Sequence, residues 1–205
     1  MSETEAFLGR LRTRRSIRRF KPDPVPRATL ERLIEAAAWA PSAGNRQDWF
    51  FAVATRRELI REMAAAVRRR WEEIAAARGG SGPAQEMAGY AIRYSDFAEA
   101  PAVIGVACRV AGEFHRNLLG ADAEAITGSP FSAAAAAQNL MLAAHALGLG
   151  ACCMTAALGA REDLTKLLEI PRRHSLVCLI TVGVPEGVPA TPARRAVSEI
   201  ARFIG

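Results

Sequence analysis

Arg14-Arg15-Ser16-Ile17-Arg18-Arg19-Phe20, followed one short helix later by Pro41-Ser42-Ala43-Gly44-Asn45-Arg46-Gln47-Asp48-Trp49, is the pair of segments from which the rest of the chain is read. The first gathers guanidinium groups beside a hydroxyl. Arginine suits an anionic head group because its planar donor fork binds two oxygens at once. The second is a kinked polar loop whose Asn and Gln amides can match donors and acceptors along the edge of a flat heterocycle. Together they ask for a ligand with a phosphate at one end and a planar hydrogen-bonding ring at the other. Flavin mononucleotide, FMN, meets that description. Each segment alone has a blander account: a basic helix terminus paired to its dipole, and a helix-terminating turn made of Pro, Ser, Gly and Asn. Their joint presence, with Arg194 near the other end of the chain, favours the site.

Working outward, Glu3 to Thr13 reads as an amphipathic helix with Phe7, Leu8 and Leu11 on one face. Pro22, Pro24 and Pro26 enforce an extended segment. Arg27 to Trp39 is a second helix, with Leu30, Leu33, Ile34, Ala37 and Ala38 at helical spacing, ended by Pro41. Trp49 to Ala54 is a short strand, and Arg57 to Arg78 a long surface helix. Gly79-Gly80-Ser81-Gly82-Pro83 reads as a mobile loop. Ala102 to Val110 is a buried strand, and Glu113 to Pro130 an irregular, lid-like insertion. Ser132 to Leu147 is a helix stopped by Gly148 and Gly150. Ala151 to Met154 is a strand, Arg161 to Leu168 a helix, and Leu176 to Val182 a strand rich in β-branched residues. Strands and helices alternate without a regular βαβ beat, so the layers favour a sheet packed against helices in an α+β arrangement.

The chain has 205 residues, enough for one domain with a substantial core. Half of them are hydrophobic, yet no apolar run reaches the ~20 residues of a membrane helix. The acidic start, Met1-Ser2-Glu3-Thr4-Glu5, lacks the order of a signal peptide, so a cytoplasmic location is expected. The net charge of +6 raises nucleic-acid binding as a possibility. The arginines fall in separate groups without any nucleic-acid-binding motif, which argues for a solvated surface instead. Cys108, Cys152, Cys153 and Cys178 form no C-x-x-C, and His115, His145 and His174 no H-E-x-x-H, so no metal site is expected. His174 is read as lying in a polar turn before a strand.

The paired motifs resemble the FMN-dependent nitroreductase family. The same order of landmarks continues through Gln138-Asn139-Leu140 with Leu147-Gly148-Leu149-Gly150, then Ile170-Pro171, Val182-Gly183-Val184-Pro185 and Arg194-Arg195. The resemblance spans nearly the whole chain, apart from about Val67 to Ser132. It implies a nitroreductase-like α+β fold: a mixed, mostly antiparallel sheet flanked by helices, within an intertwined homodimer. One FMN-binding domain would cover residues 1–205, with a variable lid-like region at about 79–131.

For the site, the resemblance implies that Arg14 and Ser16 lie near the FMN phosphate and ribityl chain, with Arg15 beside them among the cofactor-binding residues, while Arg18 reaches the pyrimidine edge of the ring. A cation there would favour the anionic reduced flavin. Pro41, Ser42, Ala43, Asn45 and Gln47 would reach the flavin partly across the dimer interface. Cys153, Met154 and Thr155 would pack on the ring, with a backbone N–H toward N5, and Arg194 would complete the phosphate grip. Three positions depart from the family pattern: Asp48 stands where proline is usual, Thr155 where many relatives have a carboxylate, and Pro192 where a second cation is common. Arg195 either replaces that cation or is solvated.

The function so implied is an FMN-dependent oxidoreductase in which NADH or NADPH reduces the flavin and a small acceptor, such as a nitroaromatic or quinone, is then reduced at the same face. No catalytic side chain is required beyond those that hold the flavin. A flavin-binding module with little turnover, used for storage, sensing or partner recruitment, is the alternative. No nucleic-acid or membrane partner is expected.

Overall fold

The computed structural model describes residues 2–77 and 82–205; the expected loop residues Gly79, Gly80 and Ser81 lie outside them. Helix α1 runs Glu3–Thr13, opened by Ser2, whose hydroxyl accepts from the Glu5 amide at 3.2 Å. Helix α2 runs Arg27–Ala38, strand β1 Trp49–Ala54 and helix α3 Arg57–Ala76. Helix α4 follows at Gly82–Tyr94 and strand β2 at Ala102–Arg109. Helices α5 (Glu113–Leu119) and α6 (Ala123–Thr127) precede the long α7 (Ser129–Ala146). Then come β3 (Gly150–Met154), α8 (Arg161–Leu167), β4 (His174–Gly183) and the short α9 (Val197–Ile200).

The sheet order is β1-β2-β4-β3, and every pairing between these strands is antiparallel. Among the described residues the expected mixed character is confined to an isolated parallel bridge, Ser16 to Ala151. Both faces of the sheet are buried. Ala102, Ile104, Val106 and Cys108 of β2 point to one face with Cys178, Ile180 and Val182 of β4. There they meet Leu30, Leu33 and Ala37 of α2 and the stripe Ala133, Ala136, Ala137, Leu140 and Ala144 of α7. Alanines at these spacings let α7 lie close to both the sheet and α2, and Leu140, fully buried, contributes about 1.5–3 kcal/mol by leaving water. Val103, Ala107, Cys152, Leu176 and Leu179 face the other way, against Ile60, Met63 and Val67 of α3 and Leu164 of α8. A register shift at Val106/Ala107 lets Leu176 and Leu179, three residues apart, share that face.

Three expectations are corrected. Glu113 to Pro130 is not irregular: Glu113 opens α5 after Gly112, Gly128 (φ 71°) ends α6, and Pro130 sits in the first turn of α7, where its missing N–H costs nothing. Gly82 and Pro83 begin α4 for the same reason rather than extending a loop. His174 begins β4, paired with Arg109, because the longer β4 extends beyond the β-branched run. On the apolar face of α1, Leu8 is half-buried while Phe7 and Leu11 remain exposed.

Candidate functional site

The basic knot leaves the end of α1 and is stitched to the sheet. Ser16 bridges Ala151, and the Ile17 amide donates to the Ala151 carbonyl at 3.0 Å. Ile17 is buried and rests on Gly150, where an added Cβ would lie 2.7 Å from its own Cβ. Further on, the Lys21 amide donates to Val184 at 2.9 Å and the Glu186 amide to Arg19 at 3.1 Å. Ser16, Ile17, Arg18 and Arg19 therefore face Glu186 to Pro189 across a cavity of about 390 Å³.

The cavity wall carries Arg18 and Arg19 against Glu186, and the knot before it adds Arg14 and Arg15. Arg15 donates to the carbonyls of Arg12 and Arg14 and to the Thr191 hydroxyl. Nη1 of Arg14 is buried and has no hydrogen-bond partner among the described residues. A buried donor left unpaired is uncommon, because it loses water without replacement. Burial holds His145 below the ordinary imidazole range, helped by the positive charges of Arg14, Arg10 and Arg15. A field that disfavours one more cation favours an anion. A phosphate oxygen would supply the acceptor Arg14 lacks, so the donor set fits the FMN phosphate.

The second half, Pro41 to Gln47, is held in an unusual conformation. Ala43–Asn45 is a 3₁₀ turn in which Gly44 has φ 60°, while Asn45 and Gln47 have φ 51° and 52°. Left-handed backbone at non-glycine residues costs about 1–3 kcal/mol each and persists only where surroundings enforce it. Ser42 Oγ accepts from the Gln47 amide at 3.0 Å, and Gln47 Nε2 donates to Asn45 Oδ1 at 3.4 Å. Ser132 Oγ on α7 accepts from the Ala43 amide at 3.3 Å. Pro41, Ala43, Asn45 and Gln47 are exposed.

At the end of β3, Cys153 is half-buried, Met154 buried and Thr155 exposed, opening the turn Ala156–Ala160. A hydrogen bond from Cys178 holds the Cys153 thiol below the usual thiol range; the same contact and burial push Cys178 up. Arg194 is exposed on the tail and lines neither the knot's cavity nor the one beside Asp48, which Arg46, Arg109 and His115 share.

Within this chain the knot and the loop are anchored toward opposite ends of α7. His145 Nε2, near the end of α7, lies 2.9 Å from Thr13 Oγ1 beside the knot, whereas Ser132, near its start, holds the loop. At 1.5 Å per residue these anchors stand about 20 Å apart along the helix. The α7 anchors Ser132 and His145 escaped the sequence reading; neither carries a local signal, because their importance is where a helix puts them.

Residues 11–184 match the sequence model of the Nitroreductase family. The chain belongs to this family. The 5,6-dimethylbenzimidazole synthase of Rhodobacter capsulatus is 30% identical over 193 residues, covering 89% of this chain and 84% of that protein. A protein of Methanothermobacter thermautotrophicus, provisionally named NADH dehydrogenase/NAD(P)H nitroreductase, is 28% identical, covering 88% and 78%. A solved structure of a BluB-like flavoprotein from Clostridium difficile superposes with a TM-score of 0.83 at 27% identity over the whole of both chains. A nitroreductase with bound FMN from Desulfitobacterium hafniense shares the fold, with a TM-score of 0.75 at 22% identity over 100% of each chain. Among the described residues no cluster could hold a metal ion, and no helix is long and apolar enough to cross a membrane.

Proposed function

We propose that this chain is a flavin oxidoreductase that holds FMN, takes reducing equivalents from NADH or NADPH, and passes them to a small acceptor such as a nitroaromatic or quinone. The buried Nη1 of Arg14, without a hydrogen-bond partner among the described residues, carries the reading, because it asks for an anion at the segment whose Ser16 and Arg18 line the cavity. Arg14, Arg15, Ser16 and Arg194 would hold the phosphate end, and Arg18 the pyrimidine edge. Cys153, Met154 and Thr155 would support the ring. FMN supplies the hydride chemistry when bound. The residues of the chain orient it and set the charge around it. The names of the relatives and of the FMN-bound structural neighbour support both the flavin and the nicotinamide donor.

The separation of knot and loop along α7 supports a homodimer, in which Pro41, Ser42, Ala43, Asn45 and Gln47 of one copy complete the site built on the knot of the other. Exposed apolar side chains support it further: Trp39 after α2 is 82% exposed, and Phe203 and Ile204 at the tail 90% each. Such surface is costly unless covered.

The absorption spectrum of the purified protein tests the reading. The expected protein is yellow and bleaches anaerobically with NADH or NADPH. A folded sample that stays colourless with excess FMN sinks the proposal; one that binds FMN but resists both donors moves the chain to a binding module. The 30% identity to a 5,6-dimethylbenzimidazole synthase favours a second activity class. Finding 5,6-dimethylbenzimidazole in extracts of the reduced, then aerated, protein would assign the chain to it.

A further inference from the structure

Asp48 occupies the position where the family usually has proline, and its side chain makes contacts that proline cannot. Its carbonyl accepts from the Arg109 amide at 2.8 Å, which fixes its main chain at the edge of the sheet. Its side chain turns toward α7. Oδ2 accepts from Arg46 Nε at 2.8 Å and from Ser129 Oγ at 3.2 Å. Ser129 is the first residue of α7, so the carboxylate also sits at the helix end where negative charge is stabilised. Arg46 reaches back from the loop and donates to the Thr127 carbonyl at the end of α6. The Asp48 side chain is only 14% exposed, so solvent screens this cluster less than an ordinary surface pair.

The same corner touches the loop directly. Gly128 adopts a left-handed φ of 71° between α6 and α7, and an added Cβ there would approach Ala43 Cβ at 3.2 Å. The loop conformation therefore has three tethers on one side: Ser132 on Ala43, Thr127 on Arg46, and Ser129 on Asp48. These are the surroundings that hold Asn45 and Gln47 left-handed.

We propose that Asp48 is a positioning residue: gripped by Arg46 and Ser129, its carboxylate pins the Pro41–Gln47 loop to the α6–α7 corner in the shape that meets the cofactor. The consequence is a coupling between α5–α6, the part of the chain least like its relatives in the sequence reading, and the loop. Movement of α6 against α7 would be felt at Asn45 and Gln47 through Arg46. This inference rests on the FMN reading for what the loop meets, but the pinning itself stands on the hydrogen bonds.

Two measurements on the full-length protein separate these parts: amide hydrogen exchange across residues 43–47 without flavin, and the Kd for FMN by fluorescence titration. Asp48→Ala is expected to speed exchange in 43–47 without comparable change in the core strands, and to raise the Kd about tenfold, as loss of charge-assisted bonds implies. Asp48→Asn keeps an acceptor oxygen and should restore most of both. Ser129→Ala, which removes one donor and leaves the backbone intact, should show the same changes in smaller measure and serves if Asp48→Ala does not fold. Unchanged exchange overturns the pinning, and faster exchange with unchanged FMN affinity overturns the positioning role. Wild-type protein that refuses FMN overturns the cofactor reading alone, leaving the exchange result to judge the tether.

Discussion

His145 donates its Nε2–H to the Thr13 hydroxyl at 2.9 Å, joining α7 to the last turn of α1 immediately before the arginine knot. The direction follows because the one hydroxyl proton of Thr13 is given to the Gly9 carbonyl at 2.8 Å. Burial and then Arg14, Arg10 and Arg15 resist a positive charge on this imidazole.

A base whose folded pKa is depressed makes the unfolded chain the better proton binder at mildly acid pH. Its contribution to stability is complete above the unfolded value of about 6.5 and is lost as pH falls from there toward the lower folded value. Urea unfolding across this range should show stability falling with acid, and His145→Asn should flatten part of the slope. His174 keeps the remainder, since burial and Arg109 lower it while Asp48 opposes them. Adding phosphate should also flatten the slope if it neutralises Arg14. A slope indifferent to both changes would contradict the assigned field.

Arg14→Gln should separate binding from stability. The substitution removes a buried donor that has no partner, so the ligand-free protein should lose little stability or gain some. Affinity for FMN should fall about 10–100-fold, the loss of one or two charge-assisted bonds. Affinity for inorganic phosphate should fall with it, while riboflavin, lacking the phosphate, should be affected far less. Equal losses for FMN and riboflavin would remove Arg14 from the phosphate end.

The parts of this architecture written in local periodicity were legible in the sequence. Leu30, Leu33 and Ala37 marked α2 by spacing, and Pro41 marked its end. The pairing of strands was less so. Val103 and Ile104 face opposite layers, yet both are buried, so an antiparallel strand covered on both sides looks like any continuous apolar run. The knot and the loop were visible as chemistry because arginine, serine and asparagine cluster there. Their separation was not, since it depends on which ends of α7 Ser132 and His145 occupy. α5 and α6 are short helices around Gly120 and Gly128, and neither carries enough apolar repeat to announce itself.

Gly150→Ala should injure the fold and the site together. The new Cβ would press on the Cβ and both Cγ atoms of Ile17, at 2.7–2.8 Å. These atoms sit close to the backbone on a stiff β-branched side chain, so relief requires the knot to move off β3. Overpacking of this kind costs about 1–3 kcal/mol, measurable as a lowered urea midpoint. FMN affinity should fall as well, because Ser16 and Arg18 flank Ile17. Ile17→Ala removes both Cγ atoms, so its cost in the Gly150→Ala background should be smaller than its cost alone; strictly additive losses would place the damage elsewhere.

Complementation between protomers tests how the site is assembled. Arg14→Gln damages the knot, and a combined Asn45→Ala, Gln47→Ala change damages the loop. If each site lies within a single protomer, a mixture of the two proteins binds flavin no better than its components. If each site takes its knot from one copy and its loop from the other, a mixed dimer regains one intact site, built from the sound knot of the loop variant and the sound loop of the knot variant. Its second site is doubly damaged. Unfolding and refolding equal amounts together gives random pairing, so about a quarter of wild-type FMN-binding capacity should return in a two-fold symmetric dimer. Bound flavin per protomer after gel filtration measures this directly. No return, with mixed dimers demonstrated by differently tagged copies, would confine the site to one chain and require the loop to cross the length of α7 by another route.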